Sequence, residues 1–332
     1  MADGSEDSSD RDLVPRARRL RSLLRVGPDR VDLSTIDPRG TPGLPAKAKR
    51  DVGTGNSGAK DGSAKAWSRQ QLQLLGSALA GHQERLYASA VSGDDRRRVL
   101  LVLQAMDCGG KDGTVKSVVR ALNPQGVRIT TFGPPTPEEL GHHFLWRINR
   151  ALPGAGQVGV FNRSHYEDVL AVRVRSLVPE VTWRARFDQI NAFESDLAAD
   201  GLTIVKIMLH ISAAEQRERL LARLHDPTKR WKFNPGDLDD RTRWRSFHEA
   251  YEDALTRCSA DHAPWYVVPA DRKWYRNWAV ANVLLAHFVE MGLSYPDAAH
   301  DVEDLLRRLD AADAELQQGE TSESGKHKVN NG

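Results

Sequence analysis

Residues 99–114 read VLLVLQAMDCGGKDGT, and this stretch decides the fold. Its first half is a short run of valine and leucine, the pattern of a strand buried on both faces. Its second half is a glycine-rich turn, after which Val115, Val118, Val119 and Leu122 keep one face at helical period. Strand, glycine loop and helix in that order suit a phosphate. Glycines let consecutive backbone N–H groups converge on one anion, the helix N-terminus adds partial positive charge, and a lysine reaches the transferred group. Gly109, Gly110, Asp112, Gly113 and Thr114 would form the cradle, with Lys111 as that lysine. Against the pattern G-x-x-x-x-G-K-[ST], Ala105 stands at the first glycine and Asp112 at the hydroxyl that normally touches magnesium. Asp107, a hard oxygen donor within the loop, is therefore the candidate metal ligand. A glycine-rich turn with no ligand is the competing reading.

Outward from this loop, apolar runs of strand length alternate with helical periods, which predicts an α/β fold with a parallel sheet covered by helices. The strand candidates are 99–103, 127–132, 158–161, 203–211 and 265–268. Trp183, Phe187, Ile190 and Leu197 mark one helix face, and Trp274, Trp278, Ala281, Leu285 and Phe288 another that seals the core. Thr136-Pro137-Glu138-Glu139 reads as a capping box that starts a helix, and Ser212-Ala213-Ala214-Glu215 repeats the logic.

After the third strand comes Asn162-Arg163, where a P-loop kinase carries its second metal-binding carboxylate. An amide there can orient a metal-bound water but adds no charge. Arg163 suits a phosphate; equally, it can pair with Glu167 or Asp168. Residues 216–245 carry nine basic side chains against five acidic, in a chain of net charge +2. Arg219 and Arg223 share a helix face there. This is either a lid closing over an anion or a solvated, charged surface.

The chain has 332 residues and 2 cysteines at no metal or redox spacing, so neither a disulfide framework nor a zinc site is indicated. Its first residues are acidic and polar, and no apolar run approaches membrane-spanning length, so a cytoplasmic location is expected, with no membrane partner. The small net charge gives no support for coating nucleic acid. Residues 37–65 hold almost no large apolar side chain and read as linker. Before them, 13–24 is either a short docking helix or a disordered basic arm. The expected division is an arm and linker over 1–66, a phosphotransferase domain over 67–298, and a C-terminal helix with a disordered tail over 299–332, frayed after Thr321.

The motifs AMDCGGKDGT (105–114), FNRSHYEDV (161–169) and RLHDPTKRWKF (223–233), in that order, resemble the second family of polyphosphate kinases. The resemblance spans roughly residues 72–296, with WYVVPADRKWYRNW (265–278) as a further match. It implies a P-loop kinase sheet of five parallel strands with a helical basic lid at about 223–245. It also implies a magnesium requirement, met alternatively by manganese, and inorganic polyphosphate as phosphoryl donor to AMP or ADP, giving ADP and ATP. Carried over by position, Asp107 and Lys111 belong to the phosphate loop, Asn162 and Arg163 to the second motif, and Arg223, Lys229 and Lys232 to the lid. Many members have aspartate where this chain has Asn162. Tyr166-Glu167-Asp168 resembles the subgroup that uses both AMP and ADP, with Glu167 as its marker and, with Asn162, a nucleotide contact. The family also implies a homo-oligomer, dimer or tetramer. Two rival readings are an ATP-dependent nucleoside or nucleotide kinase of the same fold, and a single-stranded nucleic-acid binder stacking bases on Trp231, Phe233 and Trp244.

Overall fold

A strand with two buried faces feeds two cores, because successive side chains point to opposite sides. The computed structural model describes residues 10–49, 62–93, 95–298 and 300–326. Its strands are β1 (Arg98–Gln104), β2 (Val127–Thr131), β3 (Val158–Asn162), β4 (Leu202–His210) and β5 (Trp265–Pro269). They form one five-stranded sheet, every pair parallel, in the order β2-β3-β1-β4-β5. Each lies within a residue of its expected limits.

The longer helices are α1 (Asp10–Leu24), α2 (Gly62–Val91), α3 (Lys111–Val118), α4 (Glu180–Ala199), α5 (Ala213–His225), α6 (Gly236–Thr242), α7 (Trp244–Arg257), α8 (Lys273–Glu290) and α9 (Val302–Lys326). Val99, Leu101 and Leu103 of β1 face a core shared with α1, α2 and α8. Leu100 and Val102 face a second core that holds Trp183, Phe187 and Ile190 of α4 and Phe247 and Tyr251 of α7. Trp278, Leu285 and Phe288 of α8 are fully buried, each contributing roughly 1.5–3 kcal/mol. In this strand order, connections leave β1 and β3 toward opposite sheet edges, which opens a crevice at the carboxyl ends of the central strands where ligands bind.

In the N-terminal region one of the two readings of 13–24 holds, whereas the linker reading of 37–49 does not. Leu13, Ala17, Leu20 and Leu24 put one stripe of α1 into the core, so 13–24 docks as a helix, and Arg21 pairs with Glu290 of α8. Residues 37–49 are not linker: Leu44 and Ala48 are buried, Tyr275 Oη donates to the Pro42 carbonyl at 2.8 Å, and Asp271 N donates to that of Pro38 at 3.1 Å. A short irregular segment needs few apolar anchors when the domain supplies donors for its carbonyls. Helix α2 already begins at Gly62, and the remainder of the expected linker, 50–61, lies outside the described residues.

Thr136 forms the expected capping box with Glu139. Ser212 forms half of one: its hydroxyl accepts from Glu215 N, while its own N–H donates to Asp271 and Glu215 pairs with Arg219. Residues from 295 onward cluster as a separate unit, whose helix α9 runs through the expected fraying point to Lys326; the last residues of the expected tail, 327–332, lie outside the described ones.

Candidate active site

The loop between β1 and α3 turns through left-handed backbone at Cys108 (φ 61°) and Gly110 (φ 109°). A side chain at Gly110 is excluded twice, by that conformation and because a Cβ there would lie 1.8 Å from Arg276 Nη1. Lys111 opens α3 and is buried; its Nζ donates to the Ala105 carbonyl at 2.8 Å. Burial first, then the positive charge of Arg163, holds its ammonium below the ordinary lysine value. Thr114 does not line the cleft: it is fully buried, and both its N–H and its hydroxyl donate to the Gly110 carbonyl.

A cleft of about 720 Å³ lies over this loop. Gly109, Gly110, Lys111, Asp112 and Gly113 of the loop line it, together with Asn162 and Arg163 from the end of β3 and Arg223, Lys229 and Lys232 from the end of α5 and the segment after it. Arg163 (φ 64°) pairs with neither Glu167 nor Asp168; its Nη2 donates to Asp107 Oδ1 at 2.7 Å, while Asp168 pairs with Arg186. Burial works against the Arg163 charge, but Glu167 and Asp107 outweigh it and raise its pKa. Asn162 ends β3 and donates to Asp112 Oδ1 at 2.8 Å, and the other Asp112 oxygen lies 3.8 Å from Lys232 Nζ. Glu167 lies outside this cleft, beside Asp107 and Arg163 in a small adjoining cavity.

The carboxylates fit a hard dication. Asp107 and Asp237 both line the cleft, and the Asp237 pKa is raised by burial and then by the Asp107 charge. Such a pair gains from a cation between its members. Among the described residues no three His, Cys, Asp or Glu side chains are grouped to hold a metal. That is compatible with magnesium, which is commonly held by one or two carboxylates together with water and substrate phosphates.

Within the stretch expected as a lid, about 223–245, a 3-10 turn at Arg230–Lys232 is followed by α6, whereas Trp244 opens α7, packs against the core and lies beside His248. Trp244 is thus no stacking platform. Trp231 is 77% exposed, with Lys232 over its ring.

A family model described as Polyphosphate kinase 2 matches residues 62–294. The chain belongs to the polyphosphate kinase 2 family. It is 45% identical over 273 residues to an AMP/ADP-polyphosphate phosphotransferase of Meiothermus ruber, covering 82% of this chain and 94% of that one. It is 42% identical over 231 residues to an ADP-polyphosphate phosphotransferase of Rhodopseudomonas palustris, covering 66% and 78%. The crystal structure of polyphosphate kinase 2 from Arthrobacter aurescens TC1 matches with a TM-score of 0.80 at 42% identity, covering 89% of this chain and 98% of that one.

In this member of the polyphosphate kinase 2 family, sequence reasoning missed two arginines of the site. The sequence places Arg219 only on a basic helix face with Arg223. It is nearly buried: its Nη atoms donate to the carbonyls of Cys108, Gly109, Ala270 and Asp271, and its Nε to Glu215. All five N–H donors have protein acceptors close by, so Arg219 braces the loop against the end of β5. Arg276, near the start of α8, is 3% exposed. Among the described residues its hydrogen bonds go to Asn277 Oδ1 at 3.1 and 2.8 Å, and none of those residues is a carboxylate partner to it. Burial first, and then Arg219, lowers its pKa to about 9. A signal for it was present: an arginine on the aromatic-rich first turns of a helix, a few residues beyond the carboxyl end of a parallel strand.

Proposed function

We propose that this protein transfers a phosphoryl group from inorganic polyphosphate to AMP and to ADP, forming ADP and ATP. Magnesium, or manganese in its place, is the divalent ion of this reading. One observation carries it: a single cleft is lined by buried Lys111 and Arg276, the latter with no carboxylate partner among the described residues, and also by Arg223, Lys229 and Lys232 from a second segment. Cations from two segments around one cavity suit two polyanions held end to end. The names of the relatives supply the substrate class and the use of both AMP and ADP.

In this mechanism a phosphate oxygen of the nucleotide attacks the terminal phosphorus of the polyphosphate chain. The bridging P–O bond breaks, and the chain leaves shorter by one phosphate. The acceptor is already an anion, so no general base is needed, and catalysis is positioning and charge stabilisation. Lys111, Arg163 and Arg276 neutralise the transferring group, while Arg223, Lys229 and Lys232 hold the phosphates of the chain. Arg219 keeps the loop in shape by occupying its outward carbonyls. Asp107 and Asp237 would hold the divalent ion, which shields phosphate charge during transfer. Glu167, behind Arg163, acts on nucleotide choice through that arginine. The homo-oligomeric, cytoplasmic setting expected from the sequence belongs to this proposal, and light scattering on the purified protein checks for a dimer or tetramer.

The test is a mass-balanced assay with magnesium, long-chain polyphosphate and AMP, with no ATP added. ADP and then ATP should appear in step with loss of polyphosphate phosphate. Activity only when ATP is the donor would move the protein to the conventional nucleotide kinases.

A further inference from the structure

We infer that Glu194 and Lys206, a buried ion pair that does not line the cleft, are positioning residues for phosphoryl transfer: through His165 and Tyr166 they fix the turn that presents Arg163. This rests on the proposed role of Arg163 in neutralising the transferring group.

Lys206 stands in the middle of β4 between Val205 and Ile207, and all three are fully buried. The three N–H donors of its ammonium are all taken, by Glu194 Oε2, by Tyr166 Oη at 2.8 Å and by the Cys258 carbonyl at 2.6 Å. Glu194, on α4, accepts from Tyr166 Oη at 3.0 Å with its other oxygen, which also lies 3.1 Å from His165 Nε2. Burial works against the Glu194 charge, but Lys206 and then His165 outweigh it and hold its carboxyl below the ordinary glutamate value.

Stability alone does not account for such a pair, because apolar side chains of similar volume in its place are often as stable or more so. Its contacts point to a different use. Apart from the Cys258 carbonyl, the hydrogen bonds that leave the pair go to His165 and Tyr166, which open a 3-10 turn (His165–Asp168). Two residues before that turn, Arg163 holds left-handed backbone (φ 64°), a conformation that a residue with a Cβ keeps only where its surroundings enforce it.

The enforcement comes from both sides. Before Arg163 it is the sheet, where Arg163 N donates to the Leu103 carbonyl at 3.1 Å. After it the turn takes over: Tyr166 N donates to Ser164 Oγ at 3.2 Å, Glu167 N donates to the Ser164 carbonyl at 3.1 Å, and the ion pair anchors His165 and Tyr166 to α4 and β4. Held in this way, the Arg163 guanidinium meets Asp107 Oδ1 at 2.7 Å beside the phosphate loop. A misplacement of about 1 Å at a reacting centre can cost about 100-fold in rate, so a turn without its anchor should lower turnover even in a folded protein.

The experiment is a mutant cycle that joins Glu194→Met/Lys206→Met to Arg163→Met, with kcat, the KM for polyphosphate and the melting temperature measured for each protein. The apolar pair should keep or raise the melting temperature, lower kcat about 10- to 100-fold and leave the KM within about twofold. In the Arg163→Met background the same pair should cost less than about twofold in kcat, because residues that act as a unit are not additive. Wild-type kcat in the apolar pair, or losses that multiply in the triple variant, would overturn the inference. Should the apolar pair fail to fold, Tyr166→Phe takes its place in the cycle, since it keeps the ion pair and removes only the hydroxyl that joins it to the turn. A loss in kcat of about threefold or more is then expected, absent in the Arg163→Met background, and an unchanged kcat would overturn the inference. Arg163→Met with wild-type turnover would instead refute the proposed role of Arg163 and this inference with it. A wild type inactive with polyphosphate would refute the proposed donor alone, and the same cycle is then read with ATP as donor.

Discussion

The two walls of the cleft are both cationic, yet they are built in opposite ways. On the loop side Lys111, Arg219 and Arg276 are buried, with their positions fixed by loop carbonyls or close packing. On the lid side Lys229 pairs with its neighbour Asp226 at the surface, and Lys232 lies over an exposed tryptophan. A buried charge costs stability, most of all at Arg276, which has no carboxylate partner among the described residues, but it is pre-oriented; a solvated one costs little and must be gathered on binding. In the proposed mechanism the difference gives the two sides different work. The buried side would stabilise the transferring group, where reorganisation at the moment of reaction would be expensive. The exposed side would capture a polyanion, where reach and screening matter more than placement.

The comparison can be broken at either wall. Lys111→Met should cost about 10³-fold or more in turnover with the melting temperature retained; near-normal kcat would remove the loop wall from the chemistry. Arg219→Lys should act on the fold, because an ammonium cannot replace a guanidinium that bonds carbonyls of both the loop and the end of β5. A loss of about 3 kcal/mol or more in urea unfolding is expected, whereas an unfolding midpoint like that of the wild type would show that the loop needs no brace. Lys229→Gln/Lys232→Gln should raise the KM for polyphosphate about three- to tenfold and change kcat less than about twofold; the reverse split would place the lid in the transition state.

The smallest effect lies away from both walls and tests whether acid lability belongs to the cleft. Burial lowers the pKa of His287, which meets Tyr266 at 2.8 Å, to about 4, and does the same to His248. A histidine depressed in the folded state binds its proton more readily when unfolded, so its contribution is intact above pH ~6.5 and is lost as pH falls toward 4. The melting temperature should drop across that window, and His287→Gln should flatten the drop. An unchanged slope in that variant would assign the lability elsewhere.

Much of this was legible in the sequence because it was local. Each strand and the phosphate loop follow from consecutive residues, and the Thr136 cap from four. The basic lid was visible as a charge excess, though its end was not: Trp244 begins a core helix whose period runs on to Phe247 and Tyr251. What stayed hidden depends on contacts distant in sequence. Arg163 found Asp107, 56 residues away, in place of its neighbours Glu167 and Asp168. Residues 37–49 lack apolar density, and they are held by a tyrosine hydroxyl and a backbone N–H about 233 residues on. Arg276 stood in a stretch whose aromatic period spoke only for the core, and its place over Gly110 depends on how α8 crosses the loop.

The most direct test of the division between the walls is Arg276→Met, followed by kcat and the melting temperature on the same preparation. If the guanidinium is kept buried for the reaction, kcat should fall at least about 100-fold while stability holds or rises, because a desolvated charge has been replaced by an apolar chain of similar length. Normal turnover with a lowered melting temperature would contradict that account and make Arg276 a structural residue.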